Sequence, residues 1–354
     1  MNTESASPLS PADQASKQDK SLITPATLRK GDTIAILAPA TTVKPEYVEG
    51  AAEHLRSLGF KVRVMPSVIG PAEGSYAAAG PIRLGDLHTA LLDPEVKCIF
   101  CARGGYGCIH LLQAVEDDNT AAGTILHTAA PRNQKISRDD IRRNAKWLVG
   151  FSDISALHAL WLTSGVKSLH APMAKHLTLH PDDKSSHALI GILTGFPRMD
   201  YEVASHPHNR HGRAEGRLQG GNLAVLNSLA ATPFDILTAP EGEDVILFIE
   251  DISEAIYAVE RMLIRMDLAG VLRRIKGLIV GQFTEYRPDR NFPSMEEMIS
   301  ALLTRCGIGG IPVAFGFPTG HTDYNLPLIE GEQVRLDVTP EKVTLTSTEK
   351  TIYA

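Results

Sequence analysis

Asp32-Thr-Ile-Ala-Ile-Leu-Ala38 opens a stretch that decides the fold class. It is followed by a segment carrying Val48, Ala51, Ala52, Leu55 and Leu58, then Gly59, then Phe60-Lys-Val-Arg-Val-Met65. The first run is continuously apolar, the pattern of a strand buried on both faces. The middle segment keeps its apolar residues at helical spacing, and Gly59 stands where a helix ends in a left-handed residue. The third run is again a strand. A strand, a helix and a strand in this order make a βαβ crossover, which joins parallel strands. The alternation continues downstream. Leu84, Leu87, Leu91 and Leu92 line a helix before the strand Val96 to Ala102, Cys108 to Val115 reads as a helix, and Lys146 to Phe151 is a strand before a helix over Ile154 to Thr163. Such a chain builds a mostly parallel sheet covered by helices.

The second half has a different rhythm. Gly216 to Gln219 leads into a Gly-Gly turn and a helix over Asn222 to Ala230, and Asp244 to Glu250 is a strand. Ser253 is placed to cap the next helix, whose apolar face is Ile256, Val259, Leu263 and Met266. Ile275 to Val280 and Val313 to Phe317 are further strands, and Val334 to Val338 pairs with Val343 to Thr346 as a hairpin. The expected organisation is a disordered polar tail over 1–22, an N-terminal α/β domain over 23–175, an inter-domain connection over 176–211 and a C-terminal domain over 212–354. A polar stretch over 117–144 is expected as a surface insertion. The fold class is α/β: a flavodoxin-like or Rossmann-like parallel sheet with a smaller mixed α+β domain.

Composition narrows the function. The 354 residues are 43% hydrophobic and carry a formal net charge of -6, so no basic surplus exists for reading nucleic acid. No apolar run approaches the ~20 residues of a membrane helix, and the first twenty residues lack the apolar segment of a secretory signal. Four cysteines do not make a disulfide scaffold, which suits a reducing cytoplasm. Cys98 and Cys101 form a CxxC, but on a strand they point to opposite faces. His206, His208 and His211 lie in a Pro/Asn/Gly loop and read as solvated sequence. No His/Asp/Glu triplet shows good ligand spacing, so neither metal nor organic cofactor is expected.

Four strand-end motifs remain. Arg103-Gly-Gly-Tyr-Gly107 lies between a buried strand and a helix, where backbone N–H groups can meet an anion. It contains no dinucleotide or P-loop pattern. Gly150-Phe-Ser-Asp-Ile154 puts a serine on a sharp strand-to-helix turn, as a nucleophile or a helix cap. Phe248-Ile-Glu-Asp251 ends a strand with two acids; Asp251 reads best as a helix cap. Gly320-His321 lies in a turn-rich loop after a strand.

Together, RGGYG at 103–107, GFSD at 150–153, GGNL at 220–223, FIED at 248–251 and the G-H-x-x-x-N-x-P run from Gly320 resemble the LD-carboxypeptidases, a family that includes the microcin C self-immunity peptidases. The resemblance runs from about Asp32 to Val338 and takes in Arg83-x-x-Asp-Leu87. It implies a serine peptidase with Ser152 as nucleophile, Glu250 as acid and His321 as base. The implied oxyanion donors are the backbone N–H groups of Asp153 and Gly105. Chemistry agrees, because a serine hydroxyl needs an imidazole to take its proton, and the imidazole needs a carboxylate to fix its tautomer.

The implied reaction is hydrolysis of the L,D-amide to the terminal D-Ala of a murein tetrapeptide, in cytoplasmic peptidoglycan recycling by a homodimer. Neither a nucleic acid nor a membrane partner is expected. One alternative is a microcin-type immunity peptidase cleaving aminoacyl sulfamoyl-adenylates, which needs an aromatic platform for adenine. Trp147 and Trp161 both fall in expected core elements. The other alternative is a non-catalytic α/β ligand-binding protein.

Overall fold

The computed structural model describes residues 22–116, 135–195, 197–238 and 242–348. Nearly all of the expected tail, residues 117–134 of the expected insertion and the last few residues therefore lie outside the described residues. The N-terminal sheet is built from β1 (Thr33–Leu37), β2 (Lys61–Val64), β3 (Val96–Cys101), β6 (Trp147–Gly150) and β7 (Ser168–His170), all parallel. Between β3 and β6 lie the two-residue strands β4 (Val115–Glu116) and β5 (Ile136–Ser137), which pair with each other. Helices Pro45–Ser57, Gly80–Leu92 and Ser155–Thr163 are the crossovers expected from the apolar spacing. Pro stands in the first turn of the first two, where its missing N–H costs nothing.

The second sheet runs in the order β12-β11-β10-β9-β14-β15-β8. These strands are β8 (Asp200–Ala204), β9 (Gly212–Asn222), β10 (Val245–Ile252), β11 (Gly277–Thr284), β12 (Val313–Ala314), β14 (Gln333–Val338) and β15 (Lys342–Ser347). β9 to β12 are parallel and the other half is antiparallel, which gives the mixed α+β character.

Several local expectations are corrected. Gly220 and Gly221 form no turn but continue β9 to Asn222. A Cβ on Gly220 would fall 1.9 Å from the Phe248 carbonyl oxygen, so the glycine serves close strand packing. Ser253 does not cap the helix Ile256–Leu268. It has φ 62° and donates instead to Glu285 Oε2 at 2.8 Å. Residues 200–204, expected in a connection, form the outer strand of the second sheet: the backbone pairs with β15 while Tyr201 and Val203 alternate onto the apolar core. β13 (Leu328–Glu330) comes from the C-terminal half yet adds antiparallel to β7, at the edge of the N-terminal sheet.

Alternation along the strands sends side chains into two cores, and each core runs through both sheets. Ala35, Ile99, Cys101 and Leu148 join Leu247 and Leu278 in one; Ile34, Cys98, Trp147 and Val149 join Phe248 and Ile279 in the other. Cys98 and Cys101 thus face opposite sides, and burial pushes both thiols up. The turn after β13 is tied to both sheets. Its Gly331 N–H donates to Leu218 O, and Glu332 Oε2 sits 2.8 Å from the Lys167 ammonium, with both side chains almost inaccessible. Glu332→Gln keeps the shape and removes the charge opposite a buried cation. It should destabilise the protein by about 3 kcal/mol, read as a lower urea midpoint; an unchanged midpoint would show that the pair is energetically silent.

Candidate active site

Ser152 has φ 66°, a left-handed conformation that costs a non-glycine residue about 1–3 kcal/mol. It starts a single 3-10 turn, Ser152–Ile154, between the end of β6 and the helix Ser155–Thr163. That sharp turn lifts the serine off the end of the sheet. The glycine loop after β3 lies directly against it. A Cβ on Gly104 would come within 2.9 Å of Ser152 Cβ and 3.2 Å of the Asp153 nitrogen. The closest approach is therefore at Gly104, one residue before the Gly105 picked out from the motif. Gly104 O accepts from the Thr41 N–H at 3.3 Å. A trans peptide points its N–H opposite to its carbonyl, so Gly105 N–H is directed away from Thr41. Among the described residues it has no partner.

Two residues hold this loop. Thr41 Oγ1 accepts from the Tyr106 N–H at 3.0 Å. Arg83, 2% exposed, donates to Pro39 O at 2.6 Å, Ala78 O at 3.0 Å and Gly107 O at 3.1 Å, with its guanidinium against the Tyr76 ring. Arg83 had only a motif to recommend it and Thr41 had none; nothing local marks a side chain whose partners lie in other loops. The Asp153 carboxylate accepts from Cys108 N–H at 2.8 Å and so caps the helix Cys108–Leu112. Burial raises its pKa, against the pull of the Cys108 hydrogen bonds and the Arg83 charge.

Glu250 and Asp251 end β10 and separate as strand neighbours do. Asp251 accepts from Asn222 Nδ2 and Ala224 N–H, both at 2.8 Å, at the start of the helix Leu223–Ser228. It is the helix partner that its position suggested, and burial, helped by the Glu250 charge, raises it to about 6. Glu250 is 0% exposed and accepts from His321 Nδ1 at 2.7 Å across 71 residues of chain. Gly320 makes this contact possible. It has φ 107°, and a Cβ there would sit 2.6 Å from Glu250 Oε2. Asn325 Oδ1 accepts the Gly320 N–H at 3.0 Å, which accounts for the asparagine in the motif.

His321 reaches the serine turn through Phe151, whose ring meets the imidazole edge-on with centroids 4.9 Å apart. Burial disfavours the imidazolium, but the hydrogen bond and charge of Glu250, with Asp251 and Glu285 behind it, outweigh this and hold His321 above its ordinary value. With Nδ1–H committed to Glu250, the Nε2 lone pair is the basic one. A serine on a strained turn, a base oriented by a buried carboxylate and a loop N–H without a partner make a constellation suited to acyl transfer.

Among the described residues, the fold also assembles a His/Glu triplet that sequence spacing did not reveal: His158, His170 and Glu330, all buried. His206 and His208 stack on each other, and both rings lie against Phe315.

Comparison with known proteins now decides the family. Residues 34–171 match the LD-carboxypeptidase N-terminal domain and 215–336 the LD-carboxypeptidase C-terminal domain. The chain belongs to the LD-carboxypeptidase family. It is 28% identical to a murein tetrapeptide carboxypeptidase of Pseudomonas aeruginosa over 85% of this chain and 94% of the relative. It is 25% identical to the microcin C7 self-immunity protein of Escherichia coli over 92% and 97%. The crystal structure of a muramoyltetrapeptide carboxypeptidase from Oxalobacter formigenes superposes with a TM-score of 0.74 at 28% identity, covering 90% of this chain and all of that one. In this LD-carboxypeptidase-family chain, Glu250→Gln should let His321 titrate at a lower pH than in the parent, followed by NMR of its ring protons. An unchanged titration would mean that the carboxylate does not govern the imidazole.

Proposed function

We propose that the chain is a serine-type LD-carboxypeptidase that removes the terminal D-Ala of murein tetrapeptides. The observation that carries the reading is the buried 2.7 Å bond between Glu250 and His321, beside the turn that begins with Ser152. Ser152 Oγ attacks the carbonyl carbon of the L-centre, and its proton passes to His321 Nε2. The oxyanion that forms is met by the N–H groups of Gly105 and Asp153. His321 returns the proton to the departing D-Ala amine, which leaves an ester on Ser152. Water, activated by the same imidazole, hydrolyses the ester and frees the serine.

The two tryptophans favour the muropeptide reading over an aminoacyl sulfamoyl-adenylate. Trp147 and Trp161 are both 0% exposed and unable to stack a nucleobase, which leaves that task to a tyrosine or phenylalanine. A cytoplasmic homodimer is part of the proposal by family resemblance, and the four unpaired thiols suit a reducing compartment.

Ser152→Ala should fold normally and lose on the order of 10⁴-fold or more in turnover. The assay is mass spectrometry of a defined L,D-tetrapeptide beside its D,D-ended pentapeptide and an aminoacyl sulfamoyl-adenylate. Loss of one alanine from the tetrapeptide alone is expected. Cleavage of the adenylate alone would transfer the site to the immunity reading, and full activity in a folded Ser152→Ala variant would remove the serine mechanism.

The pH dependence follows from the direction of the His321 shift. The base works only when neutral, so kcat/KM should fall as pH drops through an apparent pKa above the ordinary ~6.5. Glu250→Gln should lower that pKa and slow turnover by roughly 10²–10⁴-fold, by analogy with other triads. Asp251→Asn should chiefly cost stability. If Asp251→Asn is the crippled variant and Glu250→Gln is near normal, the acid has been misassigned.

A further inference from the structure

We propose that His158, His170 and Glu330 form a buried divalent-cation site, of the zinc class, that staples the C-terminal strand β13 to the sheet carrying Ser152. The three come from different elements: the helix Ser155–Thr163, the end of β7 and the end of β13. Their register puts them on one side. Glu330 pairs opposite Ser168 and Leu328 opposite His170, so Ser168, His170 and Glu330 share a face of the β7–β13 ladder. His158 closes that face through a 2.8 Å contact between its Nδ1 and Ser168 Oγ.

The chemistry of the cluster is rich in acceptors. His158 Nε2 lies 2.8 Å from Gly150 O, and a carbonyl only accepts, so Nε2 carries the proton and Nδ1 the lone pair. That is the tautomer of a metal-binding histidine, with its second nitrogen donating to a backbone carbonyl. Among the described residues, the buried ring nitrogens of His170 and the buried carboxylate oxygens of Glu330 have no hydrogen-bond partner. Burial pushes the Glu330 carboxyl well above its ordinary range, against the pull of the Gly220 N–H, which falls short of full hydrogen-bond geometry. All three side chains are 0% exposed. An isolated carboxylate away from water is very costly, so Glu330 must hold either a proton or a cation.

Geometry favours a metal ion over a proton. One ligand atom from each residue lies within 4.8 Å of the others, so a centre exists no more than about 2.8 Å from all three. Zinc–imidazole and zinc–carboxylate bonds are about 2.0–2.2 Å, which small side-chain shifts reach. A proton shared by Glu330 and His170 leaves the second carboxylate oxygen bare, whereas an ion can take both oxygens and also recruit His158 Nδ1, whose present partner is the Ser168 hydroxyl. The ion's task would be structural. Through His158 it fixes Gly150, two residues before Ser152, and through Glu330 it holds the C-terminal half to the N-terminal sheet.

Because the site is closed, the ion must enter during folding. The test is to unfold the full-length protein in denaturant with chelator and refold it with zinc chloride, cobalt chloride or chelator alone. Metal is then measured by mass spectrometry after gel filtration. One equivalent of zinc per chain is expected, with a Tm several degrees above the chelator-refolded sample. The cobalt form should show visible bands of protein-bound ion, distinct from those of hydrated cobalt. Glu330→Gln, similar in size, should retain little metal and gain nothing in Tm from zinc. Wild type that refolds without metal from excess zinc overturns the site and leaves Glu330 protonated. Equal zinc in Glu330→Gln overturns the ligand set. Should that variant not fold, cobalt spectra of wild type beside His170→Gln decide in its place.

Discussion

Glu250 has no contact with water, and a carboxylate so placed must be matched by a partner that justifies its burial. The recorded match is one imidazole, His321. Much of the surrounding sequence follows from this contact. The residue before His321 must lack a side chain, since any Cβ at 320 would invade the carboxylate. The loop must be pinned from within, which Asn325 does through the Gly320 N–H and Leu326 N–H does through Pro318 O. The neighbouring acid must be kept from competing for the imidazole. Asn222 and Ala224 achieve this by drawing Asp251 to the start of a helix.

The parts readable from sequence are those whose signal is local. β1, β2 and β3 are continuous or alternating apolar runs, and their helices carry the spacing of amphipathic crossovers, the first with Gly59 as its stop. The strand-end motifs at 103–107, 150–153, 248–251 and 320–327 mark loops that the fold brings into contact or holds by specific bonds. What escaped was set by distant partners. β13 is three residues long and is a strand only because β7 offers it an edge. Ser253 looks like a cap, but its positive φ and its bond to Glu285 serve the end of β10 instead. The register between Glu330 and Ser168 cannot be read from residues that lie far apart in the chain, and the triplet with His158 and His170 depends on it.

The candidate site joins the two halves of the chain. The serine turn and glycine loop belong to the N-terminal sheet, while the carboxylate and imidazole hang from the second. Their relative placement is therefore only as rigid as the junction between the sheets. That junction is not a thin linker. Both apolar cores run through the two sheets, β13 crosses from one half to pair with the other, and the buried Lys167–Glu332 pair closes the turn that follows. Holding reacting groups in register is what converts ordinary side chains into a catalyst, and small displacements are costly.

Three histidines around the serine turn show how environment separates chemically identical groups. His158 is pushed down to about 4 and His170 well below its ordinary value, both chiefly by burial. His321 is also buried, yet Glu250 reverses the sign and holds it above its ordinary value. Near neutral pH, His158 and His170 keep uncharged rings, whereas His321 is poised to accept a proton. Phe151 stands between the two behaviours, its ring in contact with both His170 and His321. Uncharged rings at 158 and 170 leave the imidazolium of His321 to the carboxylate that is hydrogen-bonded to it, so the proton taken from the serine has one destination.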